Sequence, residues 1–162
     1  MLIGLIADTH GHIDPRLAAA FAGVEAIVHA GDVGGAHVLE ALRDLAPLFA
    51  VRGNNDEKLG GLGLPLLEDF ELAGVRFHLV HQLAHARPRD DTDVVIFGHS
   101  HRALIERRDG VLYVNPGAAG RAGFHRLQTV TLLTAEDGAT TAVRVVELGA
   151  RLAPPRRPRA GM

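Results

Sequence analysis

Four apolar runs in this sequence each end in side chains able to bind a divalent metal. Asp8-Thr9-His10 follows residues 2–7, and Gly31-Asp32 follows residues 26–29. Gly53-Asn54-Asn55-Asp56 follows residues 47–51, and Gly98-His99-Ser100-His101 follows residues 94–97. Val80-His81 makes a fifth such ending. Carboxylate oxygens and imidazole nitrogens together suit borderline divalent ions such as Mn, Fe, Ni, Co or Zn. The chain has no cysteine, which excludes thiolate metal sites and disulfides. It has 10 histidines against only 4% aromatic residues, so the histidines call for individual readings.

Each piece alone has a plainer reading. Asp8 and His10 could close a turn after a strand, and Asp32 and Asn54 are types that start helices or fill turns. His99 and His101, two apart, also suit a hydrogen-bonded surface pair. Asp56 reads as a cap or turn acid, His29 as a core or second-layer residue, and His37 as a surface residue on a helix. His12, His125 and Arg121 fall near the motifs and could approach a phosphate, but the plainer reading is favoured for the two histidines and surface placement explains Arg121 equally well.

The elements between these motifs would carry them to one edge. Residues 2–7, 26–29 and 47–51 read as buried strands. A helix is expected from Asp14-Pro15 to about Ala22, since Asp caps and Pro suits the first helical position. Val38, Leu39, Leu42 and Leu45 have helical spacing within residues 35–45. A β-α-β-α-β order implies parallel strands, and ligands bind past the C-terminal ends of such strands.

The second half has a different grammar. Residues 57–65 read as a loop, and 67–72 with 75–80 as a hairpin around Ala73-Gly74. Residues 82–92 are polar and irregular, with room for one helical turn. Strands follow at 94–97, 103–106, 111–114, 127–133 and 140–147, with Asp109-Gly110 and Asp137-Gly138 as turns. One domain is expected over residues 1–150, with a disordered Arg/Pro-rich tail over 151–162.

Composition narrows the partners. The net charge is −2, but Arg151, Arg156, Arg157 and Arg159 lie in the tail, leaving −6 on residues 1–150. An acidic body argues against nonspecific nucleic-acid binding. No apolar run reaches membrane-spanning length, and the apolar start lacks a basic leader, so a cytoplasmic protein without a membrane partner is expected. A homo-oligomer stays open.

The ordered set D-x-H, GD, GNND, H and GHSH resembles the calcineurin-like metallophosphoesterase superfamily. The resemblance covers roughly residues 1–148. It is to the small single-domain phosphodiesterases of bacteria and archaea, relatives of vacuolar protein sorting 29. Asn115-Pro116-Gly117-Ala118-Ala119-Gly120 resembles the Asn-Pro-Gly-Ser loop of that branch. The resemblance implies an α/β fold with two mixed β-sheets packed as a sandwich and flanked by helices. It implies two divalent ions, Mn first, with Ni, Fe, Co, Zn or Mg as alternatives. Asp8, His10 and His101 would bind one ion, Asn54, His81 and His99 the other, and Asp32 would bridge both.

Catalytic contacts are then expected from Asp32, Asn54, Asn55 and His99. The expected reaction is attack of a hydroxide shared by the two ions on a small phosphodiester. A phosphomonoesterase and a non-catalytic scaffold of the same fold are the alternatives. Two residues depart from the family pattern. Asn55 stands where many relatives have a His able to protonate the leaving group, although its amide could still orient phosphate. Gln82 follows His81 where the branch has Gly, and a side chain there would narrow the pocket. If residues 81–85 were helical, His81 and His85 would share a face.

Overall fold

The computed structural model describes residues 1–153. Two five-stranded mixed sheets form the body. The first sheet contains β1 (Leu2–Ile6), β2 (Ala26–His29), β3 (Leu48–Ala50), β9 (Leu127–Glu136) and β10 (Ala139–Ala150) in the order β10-β9-β1-β2-β3. β1, β2 and β3 run parallel, whereas β9 pairs antiparallel with both β1 and β10. The second sheet contains β4 (Leu67–Leu72), β5 (Val75–Val80), β6 (Val94–Ile96), β7 (Leu104–Arg108) and β8 (Val111–Asn115) in the order β4-β5-β6-β8-β7. β5, β6 and β8 are parallel, and β4 and β7 are antiparallel edges.

Strand periodicity explains the layering. Ile3 and Leu5 of β1 join Val28, Phe77, Leu79 and Ile96 in a core between the two sheets. Ile6, Ile27, Val130 and Leu132 face the other way and form a second core with Leu17, Phe21, Val38, Leu39 and Leu42. A strand buried on both faces must be apolar throughout, as residues 2–7 are. α2 (Ala36–Arg43) buries Val38, Leu39 and Leu42 from one face, as helical spacing requires.

Three hairpin turns, Ala73-Gly74, Asp109-Gly110 and Asp137-Gly138, have positive φ at both central residues. That geometry matches strand twist and explains why each two-residue turn ends in Gly. α1 is shorter than its sequence suggests, only Leu17–Ala20. Asp14 Oδ1 accepts from the Arg16 backbone N–H in the turn that leads into α1, and the same carboxylate also pairs with the Arg16 guanidinium and accepts from Gln128. Residues 56–63 are not an open loop but a kinked 3-10 segment, with left-handed backbone at Gly60, Gly61 and Leu62. The helical turn expected in 82–92 is a 3-10 turn over Leu83–His85.

Of the expected tail, residues 151–153 are tied to the body. Arg151 N–H donates to the Arg126 carbonyl and Leu152 N–H to Gln128 Oε1. The remainder, 154–162, lies outside the described residues. Among the described residues no helix is long and apolar enough to cross a membrane.

Candidate metal centre

The C-terminal ends of parallel strands from both sheets meet at one edge. From the first sheet, Asp8 and His10 follow β1, Asp32 follows β2, and Asn54 follows β3. From the second, His81 follows β5, and His99 and His101 follow β6. Five of these residues bend the chain sharply: φ is 54° at Asp8, 46° at His10, 53° at Asp32, 73° at His99 and 61° at His101. Left-handed backbone costs a non-glycine residue on the order of 1 kcal/mol, and such strain concentrates at functional sites. Close approach also restricts Gly53, where a Cβ would fall 2.1 Å from Asp32 Oδ1.

The ligand-type atoms converge in two overlapping groups. Asp8, His10 and His101 form one, and Asp8, Asp32 and His81 the other, with the atoms of each group within 4.8 Å of one another. Asp8 Oδ1 stands 3.4 Å from His101 Nε2, 3.9 Å from His10 Nε2 and 4.0 Å from His81 Nε2. Asp32 Oδ2 lies between the groups, 3.7 Å from His10 Nε2 and 3.4 Å from His81 Nε2. Asn54 Oδ1 is 3.0 Å from His81 Nε2. Asp8 Oδ1 is buried and has no hydrogen-bond partner. A buried carboxylate oxygen without a partner is costly, and a cation among these atoms removes that cost. The donor set therefore fits divalent ions.

Second-layer contacts fix the orientation of these ligands. His81 Nδ1–H donates to the Ala30 carbonyl at 2.7 Å, so its Nε2 faces the cluster. That is the usual arrangement of a metal-binding imidazole. Asp8 Oδ2 accepts from the His99 backbone N–H at 3.0 Å. Asp32 accepts from Asn55 twice, at Oδ1 from the backbone N–H and at Oδ2 from the side-chain amide. Asn115 Nδ2 donates to the Gly98 carbonyl and to Ser100 Oγ, holding the GHSH loop.

Electrostatics point to the same place. Burial would raise the Asp32 pKa, but hydrogen bonds from His81 and Asn55 override it and hold the carboxyl well below the usual range. Burial would lower that of His81, yet Asp32 and Asp8 hold it above the ordinary value. Contact with Asp8 raises His101 against a smaller burial effect. A field that draws protons to these nitrogens also draws cations.

The other polar side chains near the motifs are placed as follows. The Asn55 side-chain amide donates to Asp32 Oδ2. The exposed His99 ring lies outside both converging groups and packs edge-on against His81, with ring centroids 5.2 Å apart. His12 is turned toward Asp14, 3.8 Å away. Arg121 reaches the Ala153 carbonyl. His125 donates from Nε2 to the Gly120 carbonyl and packs its ring against His101. His78 pairs with Asp69, and the exposed His37 reaches the Gly11 carbonyl. Gln82 has extended backbone (φ −106°, ψ 122°), so the turn after His81 does not need glycine. With His85 it lines a pocket of about 110 Å³ beside His81.

Two residues contribute more than their sequence context suggests. Asp56 is a turn acid, accepting from the Gly53 N–H, but it also accepts from Val33 and Gly34, clamping two site loops together. Its position three after Gly53 signals only the local bond. His29, fully buried, accepts from Gly31 N–H at Nδ1, so its Nε2–H donates to Thr9 Oγ1, which in turn donates to the Val33 carbonyl. Burial pushes its pKa down to about 4, keeping it neutral.

The family model described as a calcineurin-like phosphoesterase superfamily domain matches residues 1–138. A probable metallophosphoesterase of Methanothermobacter thermautotrophicus is 36% identical over 135 residues, covering 73% of this chain and 77% of that protein. A phosphodiesterase of Methanocaldococcus jannaschii is 32% identical over 139 residues, covering 72% and 83%. Among solved structures, a single-substitution form of Vps29 from Entamoeba histolytica matches with TM-score 0.71 and 22% identity, over 91% of this chain and 99% of that one. That likeness is one of fold, and the family rests on the sequence matches. With two mixed sheets and a His/Asp cluster suited to divalent metal at their shared edge, this chain belongs to the calcineurin-like phosphoesterase superfamily.

Proposed function

We propose that the chain is a phosphodiesterase that holds two divalent ions, with Mn as the first choice of metal. Asp8, His10 and His101 would hold one ion, Asn54 and His81 the other, and Asp32 would lie between them. His99 would complete the second set by a turn of its exposed ring. The observation that carries this reading is Asp8 Oδ1, buried without a partner among three imidazole nitrogens. When bound, such ions supply Lewis acidity and make water a nucleophile near neutral pH.

The chain's own part is preorganisation. Asn55 and the His99 N–H hold the two carboxylates in place, so little reordering is needed when substrate arrives. His81 keeps its Nε2 toward the cluster by donating from Nδ1. Asn55 has no acidic proton to give, so leaving groups that are already good anions should turn over fastest.

Two points favour a diester. The Methanocaldococcus relative bears the name phosphodiesterase. Among the described residues, no Lys or Arg pairs with a cluster residue, and a monoanionic diester needs less cationic compensation than a dianionic monoester.

The test is hydrolysis of bis(p-nitrophenyl) phosphate against p-nitrophenyl phosphate, with Mn, Ni, Mg or chelator, in wild type and Asp32→Ala. Metal-dependent diester turnover that Asp32→Ala removes is expected. Faster monoester turnover would reverse the substrate order, and no turnover of either would end the enzymatic reading.

A further inference from the structure

A cleft of about 440 Å³ opens beside His99 and His101. Its walls are His99, Ser100, His101, Arg102, Phe124 and His125. No carboxylate lines it, although the body of the chain is acidic. Phe124 is fully exposed, at 103% relative accessibility, the most exposed large apolar side chain among the described residues. A single exposed phenyl ring is unremarkable by itself. Its setting is what matters.

The loop carrying Phe124 is pressed against a cluster residue. At Gly123 (φ +122°) a Cβ would lie 2.5 Å from His101 Nδ1, so only glycine brings the chain this close. The loop is also tethered around its ends. His125 Nε2–H donates to the Gly120 carbonyl, Arg151 reaches the Arg121 carbonyl, and Arg151 N–H donates to that of Arg126. Phe124 therefore stands at the rim of the cluster on anchored backbone.

Size separates the two sides of the cluster. The pocket beyond His81, walled by Gln82 and His85, holds about 110 Å³. A cavity of about 150 Å³ is what benzene occupies in a protein. The pocket beside His81 falls short of that volume, and the cleft beside His101 exceeds it.

We infer that the cleft between the His99–Arg102 loop and Phe124 binds an aromatic group of the phosphoester substrate, an aryl ring or a nucleobase, which stacks on Phe124. The pocket beyond His81 takes a small substituent or none. This rests on the phosphoesterase reading above and adds the class of substrate. A flat ring on Phe124 gains stacking and removes apolar surface from water, while Arg102 favours anionic or neutral groups over cationic ones.

The probes are phenylphosphonate and methylphosphonate, whose carbon–phosphorus bonds replace the ester. Each is titrated calorimetrically into the Mn-loaded full chain, and bis(p-nitrophenyl) phosphate turnover is measured on the same preparation. Wild type should bind phenylphosphonate about 3- to 10-fold more tightly than methylphosphonate. Phe124→Ala should bring that ratio toward one, and Phe124→Trp should keep it. Phe124 is fully exposed, so neither variant threatens folding. Turnover without a phenyl preference, or a preference that survives Phe124→Ala, overturns the cleft and leaves the phosphoesterase reading standing. Neither turnover nor binding of either phosphonate overturns both.

Discussion

The two sheets contribute to the candidate metal centre in different ways. The first sheet supplies both carboxylates and the Asn54 amide, plus His10, from three consecutive parallel strands. Its acids are buried, Asp8 at 0% and Asp32 at 2% exposure, and their loops are fastened to one another by Asp56 and by the His29–Thr9–Val33 chain. The second sheet supplies three imidazoles. Of these only His81 is buried and anchored; His99 is exposed and His101 half-buried on the wall of the open cleft. The charge is thus placed on the rigid side, and access on the other. Buried acids need strong bracing because like charges repel and desolvation disfavours them. Imidazoles at a rim, partly in water, do not.

Substitutions can break this contrast. The largest loss should come from Asp8→Ala, which removes the atom shared by both converging groups. Metal-dependent turnover should fall by more than about 100-fold, beyond the 10–100-fold that outer-layer partners cost. A smaller loss in steady-state kinetics would take Asp8 out of the centre.

Asp56→Ala tests the bracing itself. Three backbone N–H groups lose their acceptor, so unfolding free energy should drop by about 3 kcal/mol in urea titration. A change under about 1 kcal/mol would mean the two loops hold each other without Asp56.

His29 tests the same region through pH. Its folded pKa of about 4 lies below the ordinary value of 6.5, so from pH 6.5 down to 4 the unfolded chain takes up a proton that the folded chain refuses. Stability should therefore fall as pH drops through that window, by up to about 3 kcal/mol from this residue. His29→Gln should flatten that part of the profile in chelator-treated protein. An unchanged slope would assign the acid sensitivity to other groups.

The smallest effects should separate the two sides. Asn55→Ala should weaken Mn affinity about 10-fold by calorimetry, because Asp32 loses its side-chain brace but keeps the backbone bond. His99→Ala should weaken it less than His101→Ala, since the His101 Nε2 already stands 3.4 Å from Asp8 Oδ1. The opposite order would place the His99 ring among the ligands and make the second sheet's contribution more rigid than its exposure suggests.

Much of the fold was legible in the sequence because its signals are local. Apolar runs of strand length, Asp-Gly turns and the 38/39/42/45 spacing each report on a few neighbouring residues, although Leu45 falls past the helix and is exposed. The misread stretches were those governed by distant contacts. Asp14-Pro15 leads into a helix that ends at Ala20 instead of Ala22, and the Asp14 carboxylate is shared with the distant Gln128. Residues 151–153 look like the beginning of a free tail, yet they bond to 126 and 128. Asn55 looks like a phosphate contact, and only the fold shows that its backbone and side chain also brace Asp32.

From the chain alone one can read which side chains have metal-binding chemistry, that they follow strands, and that the strands of the first half run parallel. These depend on residue type and on periods of two and 3.6, which are written along the chain. The tertiary structure decided which oxygen is left without a partner, which imidazoles are locked and which are free, and which side of the cluster has room for a ring. Those properties arise where loops from two separate sheets converge. Distances between residues as far apart as Asp8 and His101 depend on sheet packing, and no local pattern encodes them.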